Sequence, residues 1–172
     1  MCYHIQLQSF KFSEKVRKRG SRIIYWVSRL VYSYLDHPSD VYVHIMSDSL
    51  EGLFEEAAKA TFEVMLDTAM VEEREALEVE IKAKDLEQLL YMWVDYLLLV
   101  FDSKSLAVAR ANVKEIKKTE KESPFLLKAK IYGEEYDPKK HGQRVGVKAM
   151  TYSLMRIVQV REKWEAYFVL DI

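Results

Sequence analysis

Short stretches of the chain alternate apolar with polar residues, the two-residue period that predicts half-buried β-strands. Val41, Val43 and Ile45 alternate with more polar neighbours, and the same period recurs over residues 76–82. Apolar runs later in the chain predict further strands at 106–118, 125–136, 144–160 and 163–172. The last two are predicted to pair antiparallel across residues 161–162.

Two longer stretches repeat their apolar residues every three or four positions, which predicts helices over 50–65 and 86–101. Asp48 with Glu51, and Asp85 with Gln88, have the spacing of N-terminal capping boxes. The second helix is apolar beyond one stripe, which indicates either burial against a sheet or a surface for a protein partner. The elements together predict an α+β single domain, a mostly antiparallel sheet with two helices packed on one face.

Composition narrows the class of protein. A chain of 172 residues suits one domain with a proper core. Cys2 is the single cysteine, which excludes an intrachain disulfide framework and a cysteine-based zinc cluster and favours a reducing cytoplasm. The sequence has no Gly-rich phosphate loop, no nucleophile elbow and no HExxH motif, so no catalytic site is predicted.

Charge separates the start of the chain from the rest. Residues 1–31 carry a formal charge of +6, whereas residues 32–172 carry −7. We therefore predict a basic N-terminal extension over 1–31, either disordered or the product of a start assigned too far upstream, and a domain over 32–172. An RNA-binding arm, a membrane-surface helix and a targeting peptide are the alternatives. The apolar part of the extension, residues 23–32, is shorter than the roughly 20 residues needed to span a bilayer.

Four carboxylates are candidates for a metal site. The end of the chain places the Asp171 side chain beside the terminal carboxylate of Ile172, and Asp36 and Asp40 flank a tight bend. If the first and last strands are neighbours, these oxygens converge into a site suited to a hard divalent cation. The alternative is a frayed, solvated terminus and an ordinary acidic turn.

Three basic side chains have two interpretations each. His37, between the acids of the bend, is either a metal ligand or a hydrogen-bonded turn residue. Lys148, on a strand, either points into solvent or towards the acids, where it would pair with a carboxylate or bind a phosphate. His141, in the Lys140–Gly142 turn, is expected to face solvent or a partner.

Several segments, in this order, resemble the archease family. The motifs are YLDHPSD (34–40), LEGLFEEAA (50–58), FEVM with the following DT (62–68), DLEQLL (85–90), KAKIYGE with a later His141 (128–141), VKAMTY (147–152) and FVLDI (168–172). They span about four-fifths of the chain. Pro38 and Ser39 stand where the family usually has Thr-Ala, which changes the turn.

The resemblance implies a metal site and no enzymatic activity. In archeases, residues matching Asp40, Asp171 and Ile172 bind a calcium-type ion, the last through main-chain or terminal oxygens. Mn²⁺ and Mg²⁺ are the alternatives to Ca²⁺. Lys148 matches the strand lysine expected near this site, and Asp36 and His37 are further candidates beside it.

The resemblance also implies a function in tRNA processing. The protein would be a cytoplasmic cofactor of the RtcB-type tRNA-splicing ligase, promoting its guanylylation and multiple turnover and meeting tRNA only indirectly. The alternative is a chaperone-like modulator of an RNA-modifying enzyme such as a tRNA cytosine methyltransferase. A metal-dependent hydrolase is a third hypothesis, which the lack of a second metal cluster and of a clear base disfavours.

Overall fold

A computed structural model describes residues 23–27, 30–35, 40–118 and 125–172, the first two ranges by their backbone. Twelve elements are described. In chain order they are β1 (Ile23–Val27), β2 (Leu30–Leu35), β3 (Asp40–Ser47), α1 (Leu50–Met65), a 3-10 turn (Thr68–Met70), β4 (Glu75–Ala83), α2 (Leu86–Lys104), β5 (Leu106–Lys118), β6 (Phe125–Glu135), α3 (Pro138–His141), β7 (Ala149–Val160) and β8 (Lys163–Asp171).

The strands form two antiparallel sheets. The larger has the order β1-β2-β3-β8-β7 and the smaller the order β4-β6-β5. Strand β8 therefore lies between β3 and β7, although more than a hundred residues separate β3 from β8 in the sequence. The pairing of β3 with β8 meets the condition on which the convergence of the acidic residues depends.

The two long helices lie between the sheets. Helix α1 contacts β5 of the smaller sheet and β3 and β8 of the larger, while α2 contacts β7 on one side and β4, β5 and β6 on the other. Among the described residues no strand of one sheet contacts a strand of the other. The predicted α+β class, with antiparallel strands covered by helices on one face, is confirmed, and the strands divide into two sheets that share the helices.

A polar side chain caps the N-terminus of each of the two long helices. Ser49 caps α1, with its Oγ accepting from the Gly52 N–H at 3.0 Å, so the capping residue predicted at Asp48 lies one position too early. Asp85 caps α2 as predicted, because its Oδ1 accepts from the Gln88 N–H at 2.7 Å. A polar side chain at this position accepts from a backbone donor that has no partner within the helix.

The wide apolar surface of α2 is mostly buried. Trp93 is fully buried and donates its Nε1–H to the Phe54 carbonyl of α1 at 2.9 Å, which joins the two helices. Two of the apolar side chains, Met92 and Leu99, remain exposed. Burial of this surface is therefore confirmed for most of the helix, and the alternative of a partner surface stays a prediction for the exposed positions.

The last strand pair forms as predicted, but β7 begins at Ala149 and not at residue 144. The N–H groups of Arg144 and Val145 donate to the carbonyls of Met65 and Val64 at 3.0 and 3.2 Å. These donors cap the end of α1 and are unavailable to a sheet. Residues 142–148 therefore form a connection anchored on α1.

Gly133, in the central strand β6, is required by a close approach. A Cβ at this position would lie 1.9 Å from the Ala107 carbonyl oxygen of β5. The glycine of the KAKIYGE segment therefore permits the tight pairing of β5 with β6.

The basic extension predicted over 1–31 lies partly outside the described residues. Residues 23–27 and 30–31 belong to β1 and β2, while the hypotheses for 1–22 are not addressed by the described ranges and stay predictions. No helix among the described residues is long and apolar enough to cross a membrane.

Candidate functional site

Asp40 and Asp171 are direct partners across the β3–β8 pair. Directly opposed residues of antiparallel strands project from the same face, with Cβ atoms roughly 4.5–5.5 Å apart. Val43 and Ile45 of β3 are fully buried on the helix-facing side, so the alternation of the strand places Asp40 on the face turned away from the helices. Two carboxylates therefore share one end of the outer face, and both are partly exposed.

Lys148 binds the end of β8 through two donors. Its backbone N–H donates to the Asp171 carbonyl at 2.8 Å, and its Nζ donates to the main-chain oxygen of Ile172 at 3.0 Å. The Ile172 side chain packs against the core. The Lys148 hydrogen bond and the packing of the side chain therefore fix the main chain of Ile172, next to Asp171.

The candidate metal ligands at the end of β8 are all oxygen atoms: the Asp40 and Asp171 carboxylates and the main-chain oxygen of Ile172. Oxygen ligands without nitrogen or sulfur suit a hard cation. Among the described residues no group of three or more His, Cys, Asp or Glu side chains is placed to hold a metal ion. Asp36 and His37 lie in the segment 36–39, outside the described residues, so their predicted roles stay predictions.

Arg144 anchors the segment that carries Lys148. Its Nη1 donates to the Glu63 main-chain oxygen at 2.5 Å and to Glu63 Oε2 at 2.8 Å. Helix α1 has no basic residue in its last turn, so this guanidinium supplies the positive charge that the carboxyl end of a helix favours. Four residues span at most about 14 Å, which ties Lys148 to the end of α1.

A second polar cluster, around Glu134, was not predicted. Glu134 is only 5% exposed, and its Oε1 accepts from Lys140 Nζ at 2.6 Å, from the Glu72 N–H at 2.7 Å and from His141 Nε2 at 3.0 Å. The Lys140 ammonium and the Glu72 N–H hold the pKa of Glu134 down to about 2. Glu134 is therefore ionised throughout the physiological range.

His141 is fully buried, so the prediction that it faces solvent or a partner is wrong. Its Nδ1 accepts from the Asp137 N–H at 3.0 Å, which assigns the proton to Nε2 and makes Nε2 the donor to Glu134. Its carbonyl accepts from the Asp67 N–H at 2.8 Å. The signal was present in the sequence, because Glu134 and His141 belong to the same family-like motif.

The outer face of the larger sheet carries a third cluster, also missed by sequence reasoning. His44 and Tyr167 stack with centroids 4.1 Å apart, and the Glu165 carboxylate accepts from Tyr167 at 2.9 Å and lies 3.3 Å from His44 Nε2. Arg156 lies over the Tyr167 ring at 4.7 Å. Burial and the Glu165 hydrogen bond raise the pKa of Tyr167. These contacts join β3, β8 and β7 to one another, so we assign the cluster to sheet stability.

The sequence matches a protein-family model described as the Archease protein family (MTH1598/TM1083) over residues 32–172. The chain belongs to the archease family. The archease of Pyrococcus abyssi is 41% identical over 142 residues, covering 82% of this chain and 98% of that protein. The archease of Pyrobaculum neutrophilum is 39% identical over 142 residues, covering 82% and 95%.

Solved archease-family structures agree with the fold. The solution structure of Methanobacterium thermoautotrophicum protein 1598 superposes with a TM-score of 0.68 at 34% identity, covering 82% of this chain and 98% of that one. The crystal structure of a Thermotoga maritima archease, described as a possible chaperone, gives a TM-score of 0.52 at 20% identity, covering 93% and 100%. None of these archease descriptions names an enzymatic activity.

Proposed function

We propose that this archease-family protein is a non-catalytic cofactor of an RtcB-type RNA-splicing ligase in the cytoplasm. It would promote guanylylation of the ligase and its multiple turnover, and would meet tRNA only through the ligase. The observation that carries the proposal is the cross-strand pair Asp40 and Asp171 beside the Ile172 oxygen. Family membership supports it, because the resemblance that implies this activity rests on the same residues.

The donor set fits a divalent metal. Asp40, Asp171 and the main-chain oxygen of Ile172 would hold the ion, and Ca²⁺ is the first candidate because it takes roughly six to eight oxygen ligands in flexible geometry. Mn²⁺ and Mg²⁺ are the alternatives. When bound, the ion would supply positive charge at the surface for the phosphates of a partner's nucleotide. Three protein donors leave coordination positions open for water or for that partner.

The chain's own residues have separate tasks in this proposal. Pairing between β3 and β8 fixes the separation of the two carboxylates, and the core contacts of Ile172 fix its main chain. Lys148 orients the Ile172 oxygen and adds a second positive charge at the same edge. Together these groups form a small charged surface that is exposed enough to enter a partner's nucleotide pocket.

The test is a ligase guanylylation assay with purified protein, titrated with calcium, manganese and chelator. Asp40→Asn and Asp171→Asn remove charge while keeping the side-chain shape, and both are expected to abolish stimulation. Asp102→Asn changes an exposed aspartate on α2 and is expected to stimulate like the unaltered protein. Full stimulation by either site variant would contradict the proposal.

A second candidate is a chaperone-like modulator of an RNA-modifying enzyme, such as a tRNA cytosine methyltransferase. It is motivated by the description of the Thermotoga maritima protein as a possible chaperone. In that case any metal would be structural. Co-precipitation of the purified protein with each enzyme, with and without chelator, separates the two. Binding to the methyltransferase alone, insensitive to chelator, would favour this second candidate.

A further inference from the structure

Strand β7 lies at the edge of the larger sheet and is interrupted in its middle. Thr151 pairs with Val169 and Arg156 with Tyr167, so residues 152–155 lie opposite Phe168 alone. An insertion of this size is a bulge that bends the strand and turns side chains out of the sheet. The feature therefore changes which side chains β7 presents to solvent.

Leu154, at the tip of this bulge, has an unfavourable backbone conformation. Its φ is 56°, in the left-handed region that branched side chains rarely adopt. Its side chain is nevertheless 59% exposed, so packing within this chain recovers little of the cost. Strain kept at an exposed apolar residue is a reason to look for a binding role.

The bulge is continuous with an exposed part of α2. Tyr152 is 54% exposed, and its ring stacks on that of Tyr91 with centroids 4.4 Å apart and planes 8° from parallel. Met92, next to Tyr91, is 39% exposed. These four residues, Tyr91, Met92, Tyr152 and Leu154, are called the bulge patch below. Apolar side chains exposed on neighbouring elements in this way mark interaction sites.

Carboxylates dominate the rim of the bulge patch. Helix α2 carries Glu87 and Asp95 on the turns flanking Tyr91, and its only basic residue is Lys104 in the last turn. Burial, the Tyr91 phenol and the Asp85 carboxylate raise the pKa of Tyr152. The complementary surface is an apolar segment flanked by Lys or Arg side chains.

We propose that the bulge patch is the docking surface for the ligase, which contributes an apolar segment with a basic rim. The inference rests on the proposed function and deepens it. β7 starts at Ala149, directly after Lys148 and paired with Asp171, and Leu154 is five residues farther along. That distance is at most roughly 17 Å along a strand. The acids lie on the outer face of the larger sheet and α2 on its inner face, so a partner that covers the edge strand β7 can contact the bulge patch and the candidate metal centre together.

The two surfaces then have different effects on activation. Contacts at the bulge patch fix how tightly the partner binds, because a few side chains buried in the complex, often tyrosines, carry most of the binding energy. The Asp40–Asp171 end fixes how fast the bound ligase is activated. A substitution in the bulge patch therefore changes the concentration of this protein that gives half-maximal activation of the ligase. A substitution of Asp40 or Asp171 instead changes the maximal activation reached at saturation.

The experiment titrates ligase guanylylation with the unaltered protein, Leu154→Asp and Leu99→Asp. Both leucines are 59% exposed, and Leu99 is eight residues from Tyr91, roughly 12 Å along α2. Aspartate tolerates the left-handed conformation, so Leu154→Asp keeps the fold, which a thermal melt verifies. We expect Leu154→Asp to raise the half-maximal concentration at least tenfold at an unchanged plateau, and Leu99→Asp less than twofold.

Asp95→Lys tests the charge of the partner. Reversing one rim charge is expected to raise the half-maximal concentration a few-fold, with the difference shrinking as salt is added. Stronger activation by Asp95→Lys would overturn the assignment of a basic rim to the partner.

Three other outcomes test the docking surface, and the last of them separates it from the proposed function. Equal half-maximal concentrations for Leu154→Asp and Leu99→Asp would overturn the docking surface. A dimer of the unaltered protein that Leu154→Asp dissociates, with ligase binding unchanged, would assign the patch to a second copy of this chain and also overturn it. Calorimetric binding of the ligase that Leu154→Asp weakens, without any activation, would support the docking surface and contradict the proposed function.

Discussion

Lys148 Nζ donates to the main-chain oxygen of Ile172 at 3.0 Å, so an ammonium lies at the edge of the two-carboxylate pair. We expect Lys148→Met to strengthen calcium binding two- to fivefold at low salt, because a bound cation is no longer repelled by this charge. The effect should shrink at high ionic strength, since exposed charges are screened. Calorimetric titration at two salt concentrations measures it. Weaker binding by Lys148→Met would mean that its positioning of Ile172 outweighs its charge.

Asp171→Asn separates stability from metal binding. Like charges directly opposite each other across two strands destabilise a sheet, by up to about 1 kcal/mol. Without calcium the variant should therefore melt at the same temperature as the unaltered protein or slightly higher. Calcium should raise the melting temperature of the unaltered protein and leave that of the variant unchanged. Differential scanning calorimetry with calcium or chelator measures both, and an equal calcium response in the two proteins would remove Asp171 from the site.

Glu134 makes stability depend on acid pH. Its pKa is about 2 in the folded protein against about 4.3 in an unfolded chain, so the folded state favours the ionised form. Its stabilising contribution is complete above the unfolded pKa and is lost as pH falls from roughly 5 to 2. Glu134→Gln should lower the melting temperature by several degrees at pH 7, and this difference should disappear towards pH 2.

Melting temperatures at a series of pH values measure the Glu134 effect. The control is Glu78→Gln, which removes an exposed ion pair with Lys114 and should change little, because such pairs contribute roughly 0–1 kcal/mol. A constant difference between Glu134→Gln and the unaltered protein at all pH values would contradict the assigned pKa.

Trp93 joins α1 to α2 at the centre of the fold. Trp93→Phe removes the donor to the Phe54 carbonyl and leaves a buried acceptor without that partner. With the lost volume, this should cost about 2–4 kcal/mol of unfolding free energy. Urea denaturation measures it. Trp164→Phe, at a partly buried position on β8, should cost less, and an equal loss in both variants would contradict the role given to the indole N–H.

Periodicity was sufficient to predict the two long helices, the strands β3 to β8 and the fold class, whereas β1, β2 and the short helix α3 were not predicted. The alternation around Val43 and the three-to-four-residue repeat around Trp93 each reflect one buried face, which is a local property of the chain. The chain could also have placed its strands in one sheet. Their division into two sheets depends on which distant strands pair, and the hydrophobic period carries no information about the partner.

The candidate site was likewise predictable only where it depends on local sequence patterns. Asp40 and Asp171 could be proposed as neighbours because each lies at the end of a recognisable strand and the family resemblance joins them. Burial of His141 does not follow from its turn-like neighbours, because it depends on a charged partner, Glu134, at the other end of the same family-like motif. The bulge at Leu154 was equally hidden, since an apolar run predicts a continuous strand whether or not its pairing is interrupted.

The place of β8 between β3 and β7 has a consequence for biosynthesis. On the ribosome, β3 is made early and one of its edges stays open until residues 163–171 emerge, so the larger sheet is completed late. Open strand edges promote aggregation, so newly made chains stalled before residue 163 should be prone to it. The two facing carboxylates also come together only when β8 is inserted. A nascent or truncated chain that lacks this strand therefore cannot present the acidic pair to a partner, which makes the pair a marker of completed folding.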